Sequence, residues 1–373
     1  MSSSIVIGIT GSSGFIGSHL WNRLSLNSDY RLVRITKMDF LKDHLLNDLV
    51  NQCDVIFHLA GVNRHEDQSF LYRTNIELAQ KLIDSLRKVN RMTHLIYSST
   101  LQEGNDSNYG QSKLKVKEMF CEFEGTSNNF NFTSLLIPNV FGPFCKPFYN
   151  SVVATFCSQI CNGLVPEIHN DLSVNLIYVN KLISEMIEVM LNKIIGNYFI
   201  NHQYEIKVSE LNHKLALMYK TYFNDLTIPN LGNKLDLDLF LTLRCYMPHN
   251  SFPVFYSSHS DQRGSFVEVL KSQSQGQFSY STTVNGVTRG NHFHTRKIER
   301  FAVIQGKAKI SLRKIDEEKI YDYFISGENS GFVDIPIWYT HSLTNIGEED
   351  LITLFWINEP YNEEDSDTFY LNV

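Results

Sequence analysis

The sequence predicts an α/β plus all-β protein: a doubly wound parallel sheet over residues 1–246, then an all-β barrel of jelly-roll type over residues 247–373. Three observations carry this. Short apolar runs alternate with segments of helical spacing through the first half. Glycine-punctuated, alternating strand patterns fill the last third. Between them the character changes at "MPHNSFP". A chain of 373 residues, 43% of them hydrophobic, is long enough to bury two cores.

The elements follow in order. "IVIGIT" is a β-branched run of buried-strand length, and "GSSGFIGSHLWNRLSLN" turns it into a helix. "YRLVRIT", "DVIFHLAG", "HLIYSST" and "TSLLIPNVFGP" repeat the strand signature, with the helical "NIELAQKLIDSLRKVN" among them. Helical patterns dominate from about Asn180 to Arg244. From Ser257 onward "GSFVEVLK", "GQFSYSTTV", "RFAVIQGKAKISLRK", "GFVDIPIWYTHSLTNIG" and "ITLFWIN" read as short strands of a barrel.

Composition excludes several classes. The formal net charge of −7 argues against a nucleic-acid binder. No stretch approaches the ~20 apolar residues of a membrane helix, and "MSSSIVIGIT" lacks a signal-peptide pattern. The six cysteines form no C-x-x-C pair, and Cys157 and Cys161 read as buried thiols of an apolar helix. These features predict a cytoplasmic protein without membrane insertion.

"TGSSGFIG" places Gly11, Gly14 and Gly17 directly after a strand and at a helix start. The first permits a tight turn, the second lets backbone approach a pyrophosphate, and the third allows close helix–strand packing. Ser13, Phe15 and Ile16 complete the candidate dinucleotide loop, and the helix N-terminus adds N–H donors and a positive dipole end. At the end of the second strand Arg34 and Lys37 suit a 2′-phosphate, which favours NADPH over NADH. Asp39 is either an adenine contact or a loop acid.

In "SSTLQEGNDSNYGQSK", Tyr109 and Lys113 lie four apart and share one helical face. A phenol near pH ~10 is a poor acid at neutrality. A nearby ammonium is expected to stabilise the phenolate, lower that value and allow proton transfer to an alkoxide. Thr100, or less readily Ser99, supplies a hydroxyl to the same substrate oxygen. With the glycine loop a hundred residues upstream, this half resembles the extended short-chain dehydrogenase/reductase family over roughly residues 4–245. The resemblance implies a Rossmann-type fold and assigns Leu59, Ala60 and Gly61 of "HLAG" to the cofactor. It also makes Asn75 a helix-shaping residue, places "PNVFGP" near nicotinamide and substrate, and offers Asn139 and Lys146 as sugar-nucleotide contacts.

In the last third, Gly286, His292, His294, Glu299 and Gly306 match the spacing of the first cupin motif, and His341 lies between Pro336 and Asn345 as in the second. Trp338 stands where that motif has glycine. His292 and His294 alternate on a strand and so share a face. Imidazole and carboxylate donors suit Zn²⁺, Fe²⁺, Mn²⁺ or Ni²⁺, with Zn²⁺ the first choice.

The order of "HLAGVNR", "NYGQSK", "YNSVVATFC", "DQRGSF", "GNHFH" and "NEP...DTFYLNV" resembles the CapF family of capsular polysaccharide biosynthesis enzymes across nearly the whole chain. That resemblance implies a bifunctional homodimer acting on a UDP-linked amino-deoxy 4-ketosugar, with C-3 epimerisation in the cupin and NADPH-dependent C-4 reduction in the other half. The product would be UDP-2-acetamido-2,6-dideoxy-L-talose. Tyr339, Lys271 and Asp261 are guesses for the C-3 acid and base. A reductase whose cupin serves only structure or dimerisation is the alternative; a non-enzymatic NADP-binding scaffold fits less well, because Thr100, Tyr109 and Lys113 are all retained.

Overall fold

The computed structural model describes residues 4–373. They divide into two compact units, one of residues up to Thr155 with Ile168–Val208, the other of Phe156–Glu167 with Ser209–Val373.

The first unit is a six-stranded parallel sheet. Its strands are β1 (Ile5–Thr10), β2 (Tyr30–Ile35), β3 (Val55–His58), β4 (Thr93–Thr100), β5 (Phe130–Ile137) and, later in the chain, β8 (Gly196–Phe199), in the order β2-β1-β3-β4-β5-β8. The intervening strands β6 (Asn139–Phe141) and β7 (Ser173–Tyr178) form a small separate sheet with β9 (Tyr204–Lys207). Because side chains alternate across a strand, Leu95 and Tyr97 enter one core and Ile96 the other. Helices α2 (Asp43–Val50), α3 (Gln68–Leu86) and α4 (Asn108–Glu124) bury Leu46, Leu82 and Phe120 in the first core. Helices α1 (Phe15–Leu24) and α6 (Val179–Leu191) bury Leu20 and Met186 in the second; α5 (Val152–Cys161) lies between in sequence. The chain reverses direction of travel across the sheet between β1 and β3, the crevice where doubly wound sheets bind ligands.

Side-chain caps set where two of these helices begin. Asp67 Oδ1 accepts from the Ser69 and Phe70 N–H groups at the start of α3, and Ser107 Oγ accepts from Gly110 N–H at the start of α4. The second cap places Tyr109 in the first turn of α4, close to the end of β4.

The second unit contains α7 (Val208–Tyr219, from Ser209), α8 (Lys234–Arg244) and the two short strands β10 (Thr227–Ile228) and β14 (Lys271–Ser272), which pair with each other. Its strands β11 (Val254–Phe255), β15 (Gln277–Thr283), β17 (Glu299–Gln305), β20 (Gly331–Ile335) and β22 (Leu351–Ile357) form one sheet, ordered β11-β20-β17-β22-β15. A second sheet, β19-β18-β21-β16-β23, comprises β16 (Thr288–Phe293), β18 (Lys307–Lys314), β19 (Ile320–Ser326), β21 (Tyr339–Asn345) and β23 (Phe369–Tyr370). Both are antiparallel, and β12 (Ser258–Asp261) with β13 (Gly264–Val267) makes a hairpin. The predicted α/β sheet followed by antiparallel β-structure is present. Cys157 and Cys161 are buried, as read from their helix. Among the described residues no helix is long and apolar enough to cross a membrane.

Two buried histidines make the first unit acid-sensitive. Burial, reinforced by Lys113, pushes His58 down to about 3, and burial, reinforced by Lys193, pushes His94 down to about 4. Below about pH 6.5 the unfolded chain therefore binds protons that the folded chain refuses, so stability falls as pH drops from about 6.5 towards 4. Each histidine contributes a slope of roughly 1.4 kcal/mol per pH unit in that window. Urea unfolding of the α/β unit at pH 7 and pH 5 should give a clearly lower midpoint at pH 5; equal midpoints would contradict this reading.

Candidate functional site

The glycine loop is built as its spacing demands. Gly11 has φ +67°, and a Cβ there would lie 2.8 Å from the Ala60 nitrogen. A Cβ on Gly17 would lie 2.1 Å from the Gly11 carbonyl oxygen, so only glycine lets α1 start this close to β1. Gly14 is the N-cap of α1 and carries no side-chain cap, leaving the first-turn N–H groups for a ligand. Ser13 and Gly14 are exposed, while Phe15 and Ile16 are half-buried.

A residue outside the predicted set holds this loop to its neighbour. The Leu59 and Ala60 N–H groups both donate to Thr10 Oγ1, each at 3.0 Å. The Thr10 hydroxyl proton is therefore directed to His58 Nδ1, 2.9 Å away. Leu59 and Ala60 are thereby fixed beside Gly11. Asn75 continues the network: it accepts from Val62 N–H, donates to the Val62 carbonyl, and donates to Ser112 Oγ on α4. The side chain predicted to shape a helix links the turn after β3 to the helix bearing Tyr109.

At the end of β2, the exposed Arg34 guanidinium stacks 4.2 Å from the Trp21 ring, and Lys37 is exposed nearby in sequence. Asp39 turns back to accept from the Thr36 N–H and hydroxyl, both at 2.7 Å.

The structure sets Lys113 beside Tyr109, two of the three residues predicted to transfer the proton. Thr100 ends β4 and is buried, and Lys113 is 6% exposed, its Nζ 5.7 Å from the Tyr109 ring centre. That ammonium donates to the Ser98 carbonyl at 2.7 Å and lies over the Tyr97 ring at 4.8 Å. A Cβ on Gly61 would sit 3.9 Å from the same Nζ, so the lysine is adjacent to the turn after β3. The electrostatics differ from the sequence expectation. Burial, with the Tyr149 phenol adding to it, pushes Tyr109 up to about 12, while burial draws Lys113 down to about 8, partly countered by Glu103. The physical reason is that lysine and phenol are both desolvated, and the ammonium is aimed at a carbonyl rather than at the phenol oxygen. Glu103, which sequence reasoning passed over, accepts from Ser99 Oγ at 2.5 Å and pairs with Lys117. Asn139 opens β6 and is exposed; Lys146 is exposed with its Nζ 5.5 Å from the Tyr149 ring.

In the second unit His292, His294, Glu299 and His341 converge, with one ligand atom of each within 4.8 Å of all the others. Glu299 Oε2 lies 3.1 Å from His294 Nε2 and 3.2 Å from His341 Nε2. Those spacings approach the ~3.4 Å edge of a tetrahedron around an ion with bonds of about 2.1 Å. Three imidazoles and one carboxylate, largely sealed from water, fit a borderline transition-metal ion. His292 and His341 face each other across β16 and β21, and the register shifts at a bulge between Gly290 and His292. His294 lies just beyond the end of β16, and Glu299 opens β17 of the other sheet. Burial opposes ionisation of Glu299, but hydrogen bonds and charge from His294 and His341 hold its carboxyl well below the usual range.

Trp338, in the place of the motif glycine, adopts φ +63°, a conformation that favours glycine; its ring is 3% exposed and stacks on Phe293, which offsets the strain. The guessed acid–base residues have other partners. Asp261 pairs with Arg263 and Lys271 with Glu268, all exposed, and the Tyr339 hydroxyl lies 3.1 Å from His249 Nε2.

Residues 7–195 match the NAD dependent epimerase/dehydratase family, and residues 259–369 match the polysaccharide biosynthesis C-terminal domain. The crystal structure of capsular polysaccharide assembling protein CapF from Staphylococcus aureus is 30% identical, covers 99% of this chain and 100% of its own, and superposes with a TM-score of 0.64. The chain is a CapF-like member of the NAD dependent epimerase/dehydratase family. A Pseudomonas aeruginosa protein named UDP-2-acetamido-2,6-beta-L-arabino-hexul-4-ose reductase is 34% identical to this CapF-like chain over 98% of each. The UDP-glucose 4-epimerase of Thermus thermophilus in complex with NAD, 17% identical, covers 65% of this chain and 99% of its own with a TM-score of 0.54, a likeness of fold alone.

Proposed function

We propose that the chain is a bifunctional nucleotide-sugar enzyme of polysaccharide biosynthesis. Its cupin, within residues 247–373, epimerises C-3 of UDP-2-acetamido-2,6-dideoxy-hexos-4-ulose, and its reductase, within residues 1–246, reduces the C-4 ketone. The product is UDP-2-acetamido-2,6-dideoxy-L-talose, a precursor of UDP-N-acetyl-L-fucosamine for capsule or O-antigen. The observation that carries this is the presence, on one chain, of Lys113 beside Tyr109 at the start of α4 and of a clustered three-histidine, one-carboxylate set. The name of the Pseudomonas relative supports the same substrate class.

In the reductase, Gly11, Ser13, Gly14, Phe15, Ile16 and Gly17 would seat the pyrophosphate and Leu59, Ala60 and Gly61 the adenosine side. Arg34 and Lys37 at the end of β2, with Asp39 turned to Thr36, support NADPH. Bound NADPH would supply the hydride to C-4. Tyr109 then donates its phenolic proton to the C-4 oxygen, Thr100 hydrogen-bonds that oxygen, and Lys113 steadies the phenolate before solvent reprotonates it. Asn139 and Lys146 are the proposed sugar-nucleotide contacts.

In the cupin, the C-3 proton is acidified by the adjacent ketone, so inversion through an enolate is available only before reduction. His292, His294, Glu299 and His341 would hold a divalent ion, Zn²⁺ first among candidates, which when bound supplies electrophilic stabilisation of negative charge. The proposal includes a cytoplasmic homodimer.

The test is incubation with UDP-N-acetylglucosamine, the upstream dehydratase–epimerase and NADPH, followed by NMR of the sugar product. The L-talo product is expected. Replacing His292 and His294 together by Gln should abolish inversion at C-3 and change the product's stereochemistry. Unchanged stereochemistry would favour the alternative, a reductase alone with a cupin that only braces or dimerises.

A further inference from the structure

The C-terminal segment lies against the loop that joins two of the four clustered ligands. Strand β23 pairs with β16 so that Tyr370 is opposite His292 and Phe369 opposite Phe293. Just before it, Asp367 is 5% exposed and has φ +45°, a left-handed conformation that aspartate tolerates better than most residues.

Both the carboxylate and the carbonyl of Asp367 are directed at the turn 294–297. Its carboxylate accepts from the Thr295, Arg296 and Lys297 N–H groups at 2.9–3.1 Å and from the Thr295 hydroxyl at 2.6 Å. Its carbonyl oxygen lies 2.6 Å from His294 Nδ1. A carbonyl only accepts, so Nδ1 carries the proton, and Nε2, on the Glu299 side, is the ring nitrogen left to face an ion. Around this, Lys297 Nζ donates to the Ser366 carbonyl, and Arg296 pairs with Glu359 and Asp365.

We infer that Asp367 is a positioning residue for the cation centre: its carboxylate fixes the turn between His294 and Glu299 while its carbonyl sets the tautomer and orientation of His294. The inference rests on the reading of the four-residue cluster as a metal site and goes beyond it. Outer-shell partners of this kind change metal affinity by about 10–100-fold when removed. The feature was legible only in retrospect. "DTFYLNV" carries no metal-ligand spacing, and Asp367 lies far along the chain from the ligands it serves.

The experiment measures Zn²⁺ affinity of the full chain by competition with a chromophoric chelator at pH 7.5. Three proteins are compared: wild type, Asp367→Asn, which keeps side-chain shape and tolerance of the left-handed backbone, and Thr295→Val, which removes one hydrogen bond. We expect Asp367→Asn to weaken Zn²⁺ binding by about 10–100-fold and Thr295→Val by about two- to tenfold. Dinucleotide binding by the first unit should be unchanged in both. A lowered melting temperature with wild-type Zn²⁺ affinity in both variants would make the segment a purely structural strap and overturn the inference. If Asp367→Asn fails to fold, Thr295→Val alone decides it. No Zn²⁺ binding by the wild type would instead overturn the metal reading, and this inference with it.

Discussion

Tyr109→Phe is expected to lower the rate of ketone reduction by about 10²–10⁴-fold while leaving NADPH affinity within a few-fold of wild type. The magnitude is that of losing one positioned general acid. Phenylalanine keeps the ring, which is half-buried in the first turn of α4 near Lys113, so cofactor seating should survive. The pH dependence follows from the two shifts. With its phenol pushed up to about 12, Tyr109 stays protonated through the neutral range and is available as the acid. Lys113, drawn down to about 8, loses its charge first. Wild-type reduction should therefore decline above about pH 8 as the ammonium that steadies the phenolate disappears. Stopped-flow NADPH oxidation across pH 6–10 checks both statements. A Tyr109→Phe rate within tenfold of wild type would remove Tyr109 from the proton-transfer role.

The second large effect concerns stability. Arg300 and Asp334 are directly opposed on β17 and β20, and they are 3% and 4% exposed. Arg300 makes a bidentate pair with Asp334 through two contacts of 2.8 Å, and its guanidinium lies 3.7 Å from the Phe332 ring centre. The Tyr222 hydroxyl donates to the same carboxylate, and Arg244 donates to the Asp334 carbonyl at 3.1 Å. Asp334→Ala would leave a buried guanidinium without its anion. The second unit should lose about 3–5 kcal/mol, read as a lower urea midpoint. The double change Arg300→Met with Asp334→Leu removes both charges and should cost much less than either single change. A loss below about 1 kcal/mol for Asp334→Ala would show that the pair is unimportant to the unit.

Much of this was legible in the sequence, for identifiable reasons. Gly14 and Gly17 are local signals, since each answers a steric demand from Gly11 a few residues away, and Gly11 itself takes a turn with φ +67°. The same holds for Tyr109 and Lys113 on one helical face. His292, His294, Glu299 and His341 were readable because ligand chemistry restricts residue type and the strand period restricts spacing. What was not legible depends on distant pairing. Thr10 gains its role only when β3 lies beside β1 and delivers His58, Leu59 and Ala60. Asp367 acts on residues some seventy positions earlier. The direction of the Tyr109 shift could not be read either, because spacing reveals that a lysine is near but not that it is desolvated and turned to the Ser98 carbonyl.

The central claim is that two chemistries act on one sugar from two separate groups of residues. The most direct test follows solvent deuterium into C-3 of the 4-ketosugar with Tyr109→Phe. The account predicts that exchange at C-3 continues at close to the wild-type rate while NADPH oxidation is lost. Loss of exchange to the same extent as loss of reduction would contradict it.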